Sequence, residues 1–162
     1  SIMRSRNLGN KMTPADVFTD DQVRAKIAGY YGAVSYVDHL LGIILEALIS
    51  TDQLDDTLVM FTSDHGEEFG EHGMMGRHSH TLYDELLHVP LIIHDSAATT
   101  GGTRLATPVG VIDVAPTLLE LGGAAIQSSM HGRSLAPLLA GEDVPWRSSF
   151  LYEYYWYCYC VG

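Results

Sequence analysis

Thr57–His65, TLVMFTSDH, runs without a break from an apolar segment into two potential metal ligands. Leu58, Val59, Met60 and Phe61 form a short continuous apolar run, the pattern of a strand buried on both faces. Asp64 and His65 stand where such a strand emerges. In open α/β sheets the carboxyl ends of the strands border the crevice in which ligands bind. A carboxylate and an imidazole at that point are donors for a divalent cation that leaves positions open to a substrate oxyanion. Gly66 follows them and allows a tight turn.

An ordinary polar loop would also carry such a pair, so the surrounding residues decide. A glycine-rich loop runs from Gly66 to Gly76, followed by Arg77, His78 and His80 and then by the strand-like VPLIIHD at Val89–Asp95. His65, His72, His78 and His80 are four of the chain's 8 histidines. His94 and Asp95 close the second strand much as Asp64 and His65 close the first, although a solvent-facing strand end is the preferred reading for them.

The chain of 162 residues has the size of one ordinary domain, with 46% hydrophobic residues and a net charge of −11. That charge argues against a nucleic-acid partner, because no basic stripe is present to neutralise phosphates. An anionic substrate would need local positive charge, which a metal, Arg77 and the histidines can supply. Cys158 and Cys160 lie together at one end and make a disulfide framework improbable. No apolar run approaches the length expected of a membrane span.

Thr13-Pro14 reads as an N-cap and a short turn of helix. A long helix over Asp20–Ile49 follows. Thr19 and Gln22 have capping-box spacing, and Val23, Ile27, Tyr31, Val34, Val37, Leu41, Ile44, Leu45 and Leu48 recur at helical intervals, predicting one buried face. Asp38, near that stripe, is expected to hydrogen-bond a neighbour, and His39 to face solvent. The acidic stretch around Asp52, Asp55 and Asp56 lacks the glycine and closing glutamate of a calcium-binding loop and reads as a solvated connection. Thr81–His88 predicts a short helix, Thr107–Val111 a third strand, Asp113 the cap of a helix ending at Gly122-Gly123, and Leu135–Leu139 a helix capped by Ser134. Phe150–Tyr157 reads as a strand.

The blocks IAGYYGAVSYVDHLLGIILEAL, TLVMFTSDHGEEFGEHG, HSHTLYDELLHVPLIIHD, DVAPTLLELGG and HGRSLAPLLAG follow one another as in the sulfatases, which the chain resembles over most of Ile27–Trp156. Residues 1–24 match weakly, and residues 157–162 form an unmatched tail. The resemblance implies an α/β fold of the alkaline phosphatase superfamily, a sandwich with a mainly parallel central sheet flanked by helices, here only its C-terminal part. It further implies hydrolysis of a small-molecule or saccharide sulfate ester, with a periplasmic or secreted parent. Asp64 and His65 match two of the family's metal ligands, the metal being Ca2+ in most members. Imidazole at His65 also admits Mn2+, Fe2+ or Zn2+.

The family's nucleophile, formylglycine made within a C-x-P-S-R or S-x-P-S-R motif, and its further aspartate ligands belong to an N-terminal half that has no counterpart here. The fragment alone is therefore expected to be inactive. Counting back from Val89-Pro90, Ser79 stands at the family's substrate-binding lysine. The cationic role passes to Arg77, His78 or His80, with His78 and His80 as catalytic histidines. A phosphodiesterase or phosphonate monoester hydrolase of the same superfamily, and a non-catalytic sulfatase-derived binding module, are the alternatives.

Overall fold

The computed structural model describes residues 13–14, 17–76, 81–96, 101–154 and 157–161, with backbone alone at 13–14, 76, 154 and 157–161. Arg77, His78 and His80 lie outside the described residues. The chain divides into two compact units, one made of Ser1–Asp52 and His65–Val89, the other of Gln53–Asp64 and Pro90–Gly162.

In the first unit β1 (Thr13–Pro14) leads to helix α1 (Asp20–Ser50). The expected helical turn at Thr13-Pro14 is instead a strand: Thr13 pairs with Met75 and Pro14 with Met74. A partner strand distant in sequence outweighs the local preference of a Thr-Pro pair. The capping box is present, with the Gln22 amide donating to the Thr19 hydroxyl at 3.3 Å and the Thr19 amide donating to the Gln22 side chain at 2.9 Å.

The apolar stripe of α1 exists, but no residue of the helix is buried. Tyr31 is 66% exposed and Ile44 57%, so the expected buried face finds no cover among the described residues. Asp38 and His39 are both exposed. By length and composition alone α1, with a mean hydropathy of 1.5 over its most apolar window, is long and apolar enough to cross a membrane. The core helix of a water-soluble domain can be as long and as apolar, and Asp38 and His39 at mid-helix are ionisable side chains that are costly in lipid, so α1 is not assigned as a membrane span.

The strands β3 (Glu68–Phe69) and β4 (Met74–Gly76) form an antiparallel ribbon with β1, in the order β1-β4-β3. Phe69 meets Tyr30 of α1 edge to face, with ring centroids 5.0 Å apart. Such a pair adds to simple area burial. Helix α2 (Asp84–Leu87) is shorter than the expected Thr81–His88. Its Leu86 and the Met75 of β4 are the buried apolar residues of this unit among the described residues.

In the second unit β2 (Val59–Thr62) pairs with β5 (Leu91–His94) in antiparallel register, Val59 opposite His94 and Thr62 opposite Leu91. Two departures from expectation follow. Met60 and Phe61 are half-buried rather than covered on both faces, and Ile92 is 61% exposed. Because the strands run in opposite directions, His94 and Asp95 lie at the far end from Asp64, so the analogy between the two strand ends fails. All strand pairs among the described residues are antiparallel. The α/β class stands, while the parallel sheet expected of the whole fold is not made by these strands.

Residues 107–110 form a loop rather than a third strand, and Val111–Asp113 is a 3-10 turn. Helix α3 (Val114–Leu121) ends at Gly122 and at Gly123, whose φ of 74° is left-handed, as the Gly-Gly pair predicts. Helix α4 (Ala136–Leu139) starts one residue later than expected, with Leu135 rather than Ser134 at its N-cap position, while the Ser134 hydroxyl accepts from the Ala136 amide at 3.1 Å. A hairpin of β6 (Phe150–Tyr154) and β7 (Tyr157–Val161) closes the chain.

This unit is centred on Asp113, which is wholly buried. Its carboxylate accepts from the Gly110 and Arg133 amides at 2.9 and 2.7 Å and from both terminal nitrogens of Arg147, at 3.1 and 2.7 Å. Asp113 does stand at the start of α3, but its side chain caps the preceding turn and ties in two distant segments instead of the helix. The Arg147 guanidinium in turn lies 4.7 Å from the Phe150 ring centroid and 5.3 Å from that of Trp146. Both distances lie within cation-π range.

Candidate functional site

Asp64 is the last residue of the segment Gln53–Asp64 of the second unit, and His65 the first residue of the segment His65–Val89 of the first. Asp64 is exposed and His65 half-buried. Nδ1 of His65 lies 2.7 Å from the Gly66 carbonyl oxygen. A carbonyl can only accept, so Nδ1 carries the proton, and in the neutral ring the lone pair is on Nε2. Fixing one ring nitrogen in this way is how a ligand histidine is oriented. A carboxylate and an Nε2 lone pair are donor types that fit a divalent cation. They make a partial set: among the described residues no group of three or more His, Cys, Asp or Glu side chains stands ready to hold a metal.

Gly66 has a role that its sequence context did not disclose. Its φ is not in the left-handed region, so the turn itself does not demand glycine. The reason is close approach to α2: the Gly66 amide donates to the Leu86 carbonyl at 2.9 Å, and a Cβ on Gly66 would fall 1.8 Å from the Glu85 carbonyl oxygen. Gly66→Ala is therefore expected to push the backbone beside His65 away from α2. The cost should be on the order of 1–3 kcal/mol, the scale of overpacking, read as a lower urea midpoint. An unchanged midpoint would show that the approach is not needed.

His72 is drawn into a packing role. Its ring stacks on Tyr83 at a centroid distance of 3.5 Å, and Nε2 lies 3.0 Å from the Glu85 carboxylate. This pair ties the glycine-rich loop to α2. The backbone amide of Glu85, and then His72, hold the Glu85 carboxyl below the usual carboxylate range. A depressed pKa stabilises the folded state above the unfolded value, and the contribution fades as pH falls through the depressed one.

Glu68 was missed by the sequence reading. It is wholly buried, Oε1 accepts from the Thr81 hydroxyl at 2.6 Å, and Oε2 has no partner among the described residues. Burying a polar atom unpaired costs about 1–3 kcal/mol, more when it is charged. Such an atom calls for an explanation. In sequence Glu68 is one of two adjacent glutamates in a polar loop, and no periodicity marks it as interior.

The Sulfatase family model matches residues 7–124. The multifunctional alkaline phosphatase superfamily protein PehA of Trinickia caryophylli is 36% identical over 137 residues, which are 83% of this chain and 26% of that protein. Arylsulfatase K of Xenopus laevis is 39% identical over 126 residues, 78% of this chain and 23% of its own length. Among solved structures, the phosphonate monoester hydrolase of Silicibacter pomeroyi superposes with a TM-score of 0.77 at 36% identity, covering 82% of this chain and 26% of that one. The chain thus spans about a quarter of the length of the relatives it matches. With a family match over most of its length and the expected strand, turn and helix in place around Asp64 and His65, the chain belongs to the sulfatase family of the alkaline phosphatase superfamily.

Proposed function

We propose that this chain contributes to metal-dependent hydrolysis of sulfate esters, on a small-molecule or saccharide substrate, within a longer polypeptide that supplies the formylglycine nucleophile. The observation that carries the reading is Asp64-His65 just beyond β2, with the His65 ring fixed through Nδ1, in a chain of this family. Asp64 and His65 provide a carboxylate oxygen and Nε2 for a divalent cation, Ca2+ in the first instance and Mn2+, Fe2+ or Zn2+ as alternatives. When bound, the cation would polarise the sulfate oxygens and offset their charge.

Arg77, His78 and His80 bind the sulfate group in this reading. A protonated His80 serves as the general acid that delivers a proton to the leaving alkoxide, with His78 next to it in the sequence pattern. Imidazole suits that task because it titrates near neutrality.

A second reading, hydrolysis of a phosphonate or phosphate ester, is favoured by the similarity to the Silicibacter pomeroyi phosphonate monoester hydrolase. Both are tested by measuring kcat/KM of the full-length parent on an alkyl sulfate, an activated aryl sulfate and a phosphonate monoester. Sulfate esters are expected to be preferred; a preference for the phosphonate would establish the second reading, and no turnover of any ester would point to a binding module. His80→Ala should depress alkyl sulfate hydrolysis by roughly a hundredfold or more, the scale of general acid catalysis, and aryl sulfate hydrolysis much less. An equal loss on both would remove His80 from the role of acid.

A further inference from the structure

Helix α2 has only 4 residues, well short of the length at which a helix keeps its shape unaided in water. Among the described residues no side-chain hydrogen bond caps it at Tyr83. Its position is therefore set by what it touches. Buried Leu86 anchors one side. On another, the ring of His72 stacks on Tyr83 at 3.5 Å, and Nε2 of His72 lies 3.0 Å from the Glu85 carboxylate. An ionised carboxylate can only accept, so this nitrogen donates. Both side chains of that bond are 33% exposed, so solvent weakens it and the stack carries much of the contact.

The same helix supports the backbone beside His65. The Leu86 carbonyl accepts from the Gly66 amide at 2.9 Å, and the Glu85 carbonyl sits where a Cβ on Gly66 would fall. Gly66 in turn supplies the carbonyl that accepts from Nδ1 of His65 at 2.7 Å. The stretch from His65 to His72 is thus fastened to α2 at both ends, by backbone at Gly66 and by side chain at His72. Glu85 serves both fastenings, with its carbonyl at Gly66 and its carboxylate at His72. A shift of α2 therefore reaches the support of the His65 ring.

We propose that His72 is a positioning residue for His65: by clamping α2 against the loop it fixes Gly66, and through the Gly66 carbonyl the orientation in which the His65 ring meets a divalent cation. The consequence for metal rests on the metal-dependent reading above, whereas the clamp itself stands on the contacts of His72, Tyr83 and Glu85. Losing a partner that orients a ligand histidine weakens metal binding by about tenfold to a hundredfold. His72 acts one step further out, which places its effect at the lower end, about tenfold.

The test uses the full-length parent and separates the ring from the hydrogen bond. His72→Ala removes both contacts, His72→Phe keeps the stack on Tyr83 and removes the bond to Glu85, and Tyr83→Phe keeps both. Hydrogen exchange read by mass spectrometry over residues 65–67 and 84–88 is expected to quicken in His72→Ala and to quicken less in His72→Phe. It should stay as in the parent in Tyr83→Phe, with α3, in the other unit, unchanged in all of them. Calorimetric titration with Ca2+, Mn2+ and Zn2+ should give a Kd for the tightest-binding metal raised about tenfold in His72→Ala, less in His72→Phe and not at all in Tyr83→Phe. Saturating metal should then return kcat on the parent's preferred ester to the parent value, which it would not do for a residue that only packs.

Unchanged exchange in His72→Ala would overturn the clamp. Faster exchange with an unchanged Kd, or a fall in kcat that saturating metal does not relieve, would make His72 a packing residue and overturn its link to His65. If the parent bound none of these metals, the metal-dependent reading would fall with that link, and the exchange pattern would still decide the clamp.

Discussion

Asp113→Ala is expected to destabilise the second unit by about 3–5 kcal/mol, the range observed when one partner of a buried ion pair is removed. The substitution takes the acceptor from four donors at once: the amides of Gly110 and Arg133 and the two terminal nitrogens of Arg147. Asp113 is wholly buried, and the Arg147 side chain is only 14% exposed. Water therefore has little room to replace the carboxylate, and the guanidinium is left as an unpaired charge in the interior. Against a total stability of roughly 5–15 kcal/mol for a domain, that loss is enough to unfold a large share of the molecules.

The measurement is a urea titration followed by a probe within 107–150, such as the fluorescence of Trp146. Its indole donates to the Pro108 carbonyl at 2.8 Å, so the probe reports the same loop. A shift worth less than about 1 kcal/mol, the scale of an ordinary hydrogen bond, would show that the network is not central. Adding Arg147→Met should recover part of the loss, because the orphaned charge is then gone.

Asp64→Ala in the full-length parent is expected to do the opposite: leave the fold nearly intact and remove turnover. Asp64 is exposed at the end of β2, and the interactions of an exposed carboxylate, screened by solvent, are worth about 1 kcal/mol or less. In the proposed function it supplies one of the two metal donors this chain offers. Charge stabilisation by a bound cation is worth several kcal/mol in the transition state. At about 1.4 kcal/mol per decade, its loss corresponds to a fall in kcat/KM of roughly a thousandfold or more. Turnover within tenfold of the parent would take Asp64 out of the site. A melting temperature that fell together with activity would assign it a structural role.

The contrast between the two aspartates shows what a sequence can and cannot carry. Each precedes or follows an apolar segment, and each reads as a candidate for capping or ligation. Asp64 could be singled out as a candidate ligand because its context is local: an apolar run, then a carboxylate and an imidazole, then glycine, all within ten residues. The capping box of Thr19 and Gln22 and the Gly-Gly end of α3 were legible for the same reason. Their hydrogen bonds close over a few residues, and the groups that make them are written next to one another. The family resemblance rests on blocks of the same kind, and the match over residues 7–124 bears it out.

Tertiary structure alone decided the rest. The antiparallel register of β2 and β5, which separates His94 and Asp95 from Asp64, joins residues as far apart as Val59 and His94. The Asp113–Arg147 pair also joins residues 34 apart. Gly66 is required by the approach of a carbonyl from α2, not by its own φ. The stripe on α1 was correctly periodic yet stays exposed among the described residues, because periodicity states which residues share a face and not what covers it. Glu68 shows the same limit most sharply. Its neighbours Glu67 and Glu71 are not buried and it is, and the partners that distinguish it, Gly76 and Thr81, lie 8 and 13 residues further along the chain. A buried polar residue is specified by its distant partners, and no local pattern encodes them.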